Sequence, residues 1–156
     1  MPLGVSVLLV VLVATGAFAL VRRRSDGRVR TVPGEPAGDA QSSDPDREVL
    51  TSTDIGAALG SGATLVQVSS AFCAPCRAAR VLLSRAADER DDVTYVDVDA
   101  ESHLDLVRRL DVMRTPTVLV LDSAGAVVAR ASGVPRMPEI EAVLAAVTHS
   151  PVSDAG

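Results

Sequence analysis

Cys73 and Cys76 are the only two cysteines of the chain, and two residues separate them in Phe72-Cys73-Ala74-Pro75-Cys76-Arg77. At a strand-to-helix turn this spacing brings both sulfurs within bonding distance, so a disulfide can close and open with little backbone movement. Cys73 is expected at a helix N-terminus, with Pro75 tolerated in the first turn. Unpaired amides and the helix dipole there favour a thiolate, the attacking species in thiol–disulfide exchange. Cys76, one turn deeper and less exposed, is placed to attack the resulting mixed disulfide. The expected cycle has Cys73 as nucleophile and Cys76 as resolving residue.

Two plainer readings compete with this one. A static disulfide does not suit a reducing cytoplasm. A structural zinc site needs four ligands, and the only histidines, His103 and His149, fall at a helix start and in the C-terminal tail, without ligand spacing. No metal site is therefore assigned. The carboxylates Asp91, Asp92, Asp97, Asp99 and Glu101 read as a solvated strand end and loop, because nothing completes a ligand set around them.

Patterning supplies elements that position the pair. Residues 47–50 read as a short edge strand, and Thr53-Asp54 opens a short helix that ends near Gly60-Ser61-Gly62. Residues 64–69 form a near-continuous apolar run, as expected of a buried strand. The helix after Cys73 is expected to reach about Arg90, with Cys76, Ala79, Leu83 and Ala86 on one face. Residues 93–99 alternate as a strand. Ser102 with Asp105 resembles a capping box, followed by a stripe of Leu104, Val107 and Leu110. Residues 118–121 read as a buried strand, a turn over 123–125 leads to a partner strand over 127–131, and Pro138 opens a last helix with Ile140, Val143, Leu144 and Val147 inward. The order is β-α-β-α-β-α-β-β-α.

Ahead of this domain the composition changes. Residues 1–21 carry no charged side chain, and five Arg against Asp26 give residues 22–30 a charge of +4. A helix of that length reaches roughly 30 Å, the thickness of a bilayer core. Ala17-Phe18-Ala19 has the form of a cleavage site, but no basic residue precedes it and three Arg follow, so an uncleaved anchor is expected. Basic flanks stay on the cytoplasmic side, which places the domain in the cytoplasm. Residues 31–46, rich in Pro, Gly, Ser and Asp, read as a flexible linker spanning on the order of 20 Å. The divisions are a membrane anchor over 1–21, a basic flank and linker over 22–46, a domain over 47–148 and a tail over 149–156. The net charge of −5 argues against nucleic acid as a partner.

The domain resembles the thioredoxin family over residues 47–148. Phe72-Cys73-Ala74-Pro75-Cys76 is similar to that family's Trp-Cys-Gly-Pro-Cys box, Thr115-Pro116-Thr117 to its cis-proline element, and Gly133 to a glycine on its substrate-facing surface. The resemblance implies a mixed central sheet flanked by helices, with no cofactor beyond the redox-active pair. It also implies that Thr115, Pro116 and Gly133 contact an extended substrate segment. Three departures stand out. Phe72 replaces Trp, keeping an apolar cover; Ala74 replaces Gly; and Gln67 stands where the family has a buried Asp, with Tyr95 in place of the accompanying Lys. An amide cannot take a proton usefully, so either resolution by Cys76 is slowed or Gln67 is a satisfied core amide.

The function this implies is reduction of protein disulfides by a membrane-anchored α/β oxidoreductase, recharged by a thioredoxin reductase or another thiol donor. Two alternatives are an extracytoplasmic exchange or cytochrome c maturation protein and a non-catalytic binding module on the same fold. Metal delivery by the cysteine pair is a further one.

Overall fold

The computed structural model describes residues 2–25, 27–31 and 48–148, with side chains from residue 5 onward except 22–25. Its elements, in chain order, are α1 (Pro2–Ser25), β1 (Val29–Thr31), α2 (Ser52–Ile55), β2 (Ala63–Ser69), α3 (Ala74–Asp88), β3 (Val93–Asp99), α4 (Leu104–Arg109), β4 (Thr117–Asp122), β5 (Val127–Ser132) and α5 (Met137–Thr148). From β1 onward the order is the expected one, and the five strands form one mixed sheet in the order β1-β5-β4-β2-β3. Only β2 and β3 run parallel, while β2–β4, β4–β5 and β1–β5 are antiparallel.

Both faces of the sheet are covered, which is why β2 is buried at all seven positions. Alternate side chains on a strand point to opposite faces. Leu65, Val118 and Val120 pack with Leu83 and Ala86 of α3 and Ile140 and Leu144 of α5. On the other face Val66, Val96, Leu119 and Leu121 pack with Ile55 of α2 and Leu106 of α4. Each such fully buried Leu or Ile contributes about 1.5–3 kcal/mol, and this two-sided aliphatic core fixes the end of β2 from which the cysteine loop departs.

Several boundaries differ from expectation for identifiable reasons. The edge strand expected over 47–50 is a single bridge, Val49 to Ala126. Glu48 O accepts from Val127 N and Leu50 N donates to Gly125 O, so this segment closes the β4–β5 hairpin. The first strand is instead β1, inside the stretch expected as basic flank. Helix α2 begins earlier, because Thr51 forms a reciprocal capping box with Asp54, and it stops at Gly56, which has the left-handed φ of 69°. Ser102 does not cap α4: its hydroxyl donates to Asp99, and the N-cap position is His103, without a side-chain cap bond. The buried residues at α4 are Leu106 and Leu110, with Leu104 exposed.

Among the described residues no helix is long and apolar enough to cross a membrane. The described side chains of α1, residues 5–21, cover about 26 Å of helix, short of the ~30 Å of a bilayer core, although its backbone runs 24 residues. The expected linker over 31–46, beyond Thr31, and the tail over 149–156 lie outside the described residues.

Candidate functional site

The cysteine pair sits where β2 gives way to α3. Cys73 is the N-cap of α3, and its Sγ accepts a hydrogen bond from the Cys76 amide at 3.1 Å. Pro75 lies in the first turn, where its missing N–H costs nothing. Ala74 and Pro75 are both exposed. The two cysteines are joined as a disulfide, with Cα atoms 5.2 Å apart. Cys73 is half-buried, whereas Cys76 is only 3 % exposed. A sulfur reachable from solvent thus lies at the positive end of a 15-residue helix, with its partner sealed one turn below.

The segment expected to face a substrate is brought to the same place. The Thr115–Pro116 peptide is cis. Thr115 Oγ1 and Ser70 Oγ lie 3.1 Å apart, and Cys73 N donates to Ser70 O at 3.3 Å. Gly133 N donates to Pro116 O at 2.7 Å, with Gly133 in a positive-φ conformation at 101° that favours glycine. Cys73, Ser70, Thr115, Pro116 and Gly133 therefore form one hydrogen-bonded end of the sheet. Phe72 departs from expectation. It is 99 % exposed because the turn between β2 and α3 directs it into solvent, so it provides no apolar cover over the disulfide.

Beneath the pair, Gln67 is fully buried and satisfied at both ends of its amide. Its Nε2 donates to Cys76 O at 3.0 Å, and its Oε1 accepts from the Tyr95 hydroxyl at 3.2 Å. This is the arrangement of a satisfied core amide, and it ties the first turn of α3 to β2 and β3. Burial pushes the Tyr95 phenol up to about 12, with the negative charge of Asp97 adding to the effect and Arg80 opposing it. Arg80, four residues past Cys76 on α3, pairs with Asp97, whose charge raises the guanidinium further. Asp97 also accepts from Ser69 Oγ at 2.7 Å. The roles of Arg80, Asp97 and Ser69 were not read from the sequence. The usable signal was the register that sets Gln67 opposite Asp97 and Leu65 opposite Tyr95.

Away from this end, His103 Nδ1 lies 3.0 Å from Asp99 O. Asp99 accepts from Ser102 Oγ and Glu101 N, and these bonds, led by that from Ser102, hold its carboxyl below the usual carboxylate range. Among the described residues no three His, Cys, Asp or Glu gather as a metal would need.

Comparison with known proteins adds three findings. Residues 49–146 match the family model described as thioredoxin. A curated thioredoxin of Mycoplasma genitalium is 29 % identical over 59 residues, 38 % of this chain, and the match spans only 58 % of that protein. Among solved structures, a mutant thioredoxin from Halobacterium salinarum superposes with a TM-score of 0.52 at 17 % identity, covering 56 % of this chain and 76 % of that one. A thioredoxin from Nicotiana alata gives 0.51 at 22 % identity, covering 57 % and 76 %. At these identities the structural likeness shows the fold.

Proposed function

The chain belongs to the thioredoxin family, and on that premise we propose that it is a thiol–disulfide oxidoreductase that reduces disulfides in protein substrates. The observation that carries this reading is the Cys73–Cys76 disulfide at the N-terminus of α3, one sulfur accessible and the other buried. In the reduced protein the Cys73 thiolate attacks one sulfur of the substrate disulfide. That S–S bond breaks, and the departing substrate thiolate takes up a proton. Cys76 then loses its proton and attacks Cys73 Sγ, expelling the second substrate sulfur, which is protonated in turn. Two electrons have passed to the substrate, and the pair is left as the disulfide seen here. A thioredoxin reductase or another thiol donor must return them.

The remaining residues support these steps. Thr115, Pro116 and Gly133 offer backbone groups to an extended substrate segment, a form of strand addition. Ala74 and Pro75 set the spacing of the two sulfurs. Gln67 fixes the Cys76 carbonyl but offers no proton acceptor, so the Cys76 proton leaves to solvent. No cofactor is needed beyond the cysteine pair.

The same reading puts the domain at a membrane, on the cytoplasmic side. Its support is the apolar sequence of residues 1–21 in a helix of 24 residues, the exposure of Val and Leu along it, and the Arg flank that follows. Alkaline phosphatase fused after Gly156 is expected to be inactive, and strong activity would overturn the cytoplasmic placement.

Reduction of insulin disulfides by the full chain, driven by dithiothreitol, tests the activity. The wild type is expected to accelerate it and Cys73→Ser to abolish the acceleration. An inert wild type would overturn the proposal.

A further inference from the structure

The helix that precedes the domain joins it at the end of the sheet that carries the disulfide. Strand β1 runs antiparallel to β5, with Val29 opposite Ala131 and Thr31 opposite Ala129. The first residues of β1 therefore lie beside the last residues of β5, next to Gly133 and Pro116. Only three residues separate the end of α1 from the start of β1. The domain side of this junction is held by hydrogen bonds. Gly27 N donates to Ser132 O at 2.8 Å, and Val29 N donates to the Glu139 carboxylate at 2.9 Å. Gly27 is buried, has a φ of 78°, and a Cβ there would run into the Val134 carbonyl. Only glycine fits this joint without strain.

Lengths turn this into a placement. From Val21, the last residue of the apolar stretch, to Gly27 the chain covers at most about 13 Å, as four helical residues and two extended steps. That is comparable to one headgroup layer with a short extension, since headgroups add roughly 5–7 Å to each side of the apolar core. Along the sheet, β2 stands three strand spacings from β1, about 14 Å. The hairpin at Ser123 and Ala124 marks the opposite end, a six-residue strand away, about 20 Å.

The surface at the joined end has a matching character. Phe72 and Met113 are exposed by 99 % and 84 %. Arg28, Arg114 and Arg136 lie exposed on the β1–β5 side, with Arg136 also near Glu139. Of the acidic residues at this end, Glu139 lies on the β1 side, where it accepts from Val29 N and stands near Arg136, whereas Asp99, Glu101 and Asp105 lie on the β3–α4 side, at the far edge from β1. Cations and exposed apolar side chains together suit an anionic lipid surface.

The geometry points to a redox end that faces the bilayer, with Phe72 and Met113 at the headgroup layer, so that the substrates are disulfides of membrane proteins lying close to that layer. This rests on the membrane reading of α1 given above. A domain on a long free linker would sample all orientations. Here the joint holds the disulfide toward the lipid, and a membrane-borne substrate meets it at a high effective concentration.

The chain has no Trp, so single tryptophans report position cleanly. Full-length Phe72→Trp and Ala124→Trp, reduced, are reconstituted in phosphatidylcholine–phosphatidylglycerol vesicles, with and without lipid brominated near the top of its acyl chains. Flotation comes first. A chain that does not float with the vesicles overturns the membrane reading and this inference with it. In a floating chain, bromolipid is expected to quench Phe72→Trp by about a third or more, as for a side chain buried several Å into the interface, and to leave Ala124→Trp unchanged. Equal quenching of both, or stronger quenching of Ala124→Trp, overturns the orientation while leaving the anchor intact. As a second reading, the reconstituted wild type is expected to reduce a disulfide probe borne just outside the apolar segment of a single-span peptide at least about tenfold faster than it does in detergent at the same total concentration. Equal rates overturn the substrate assignment.

Discussion

Replacing Gln67 by Glu tests whether the amide under Cys76 is as sealed as its contacts indicate. The two side chains have nearly the same shape. Below the ordinary Glu range the variant carries a neutral carboxyl, whose O–H donates to Cys76 O while its carbonyl accepts from Tyr95, reproducing both native bonds. The cost there should be under about 1 kcal/mol. Ionisation puts a negative charge in a fully buried site and turns an oxygen lone pair toward the Cys76 carbonyl. Arg80, which acts on the neighbouring Tyr95, is already balanced by Asp97. Burial therefore raises the folded-state pKa of the new carboxyl above its unfolded value. The folded state then binds the extra proton, so the stability of Gln67→Glu is fully retained at low pH and falls as pH rises, by about 1.4 kcal/mol per pH unit until the folded group itself ionises. Full burial can raise a carboxyl by about three pH units, which makes the loss near neutrality as much as about 4 kcal/mol, a large part of a typical domain's stability. Urea denaturation of the oxidised chain at pH 4.5 and pH 7.5, each against wild type, reads this directly. A loss that is the same at both pH values within about 0.5 kcal/mol would refute the reasoning, because it would mean that water or a cation reaches the amide.

Other expectations follow from the same contacts. Tyr95 is the chain's single tyrosine, so its ionisation can be followed by ultraviolet absorbance after a rapid jump to alkaline pH; the midpoint in the folded protein should be about 12, and one in the ordinary range near 10 would show that the phenol is not buried against Gln67. The Thr51 hydroxyl and amide and then Arg109 hold the Asp54 carboxyl down at about 2. Its folded pKa is depressed, so its contribution is complete above the ordinary Asp range and lost as pH falls toward 2. Asp54→Asn should cost about 1 kcal/mol at pH 7, the usual worth of a capping interaction, and flatten the acid limb of the stability curve between pH 4 and pH 2; an unchanged acid limb would refute it.

Strand β3 was legible to the residue because its valines alternate with polar residues, Val96 and Val98 packing on one face of the sheet and Val93 on the other. Strand β2 was legible within a residue because it is a near-continuous apolar run, and α3 and α5 within two because their apolar positions keep a helical period, with Ile140 and Leu144 buried as that period requires. Helix α4 shows the limit: Leu104, Val107 and Leu110 keep a helical spacing too, but six residues permit more than one apolar face, and it is Leu106 and Leu110 that join the core on that side of the sheet. Strand β1 gave no signal. Val29-Arg30-Thr31 is too short for alternation to register, and only its pairing with β5 orders it. At the site, the cysteine pair could be read from its spacing because its chemistry is local, and Pro116 from its resemblance to the family's cis-proline element. The brace of Gln67, Tyr95, Arg80 and Asp97 could not, because it depends on the register of two strands under a helix. Phe72 was misread for a related reason, since residue type says nothing about which way a turn directs its side chain.

The central claim, that Cys73 attacks and Cys76 resolves, is tested most directly by trapping the intermediate. Full-length Cys76→Ser, reduced and mixed with a disulfide-containing protein such as insulin, should accumulate a covalent adduct through Cys73, visible by intact mass and released by dithiothreitol, while Cys73→Ser should accumulate none. An adduct that forms through Cys76 in Cys73→Ser, or none in Cys76→Ser, would contradict the account.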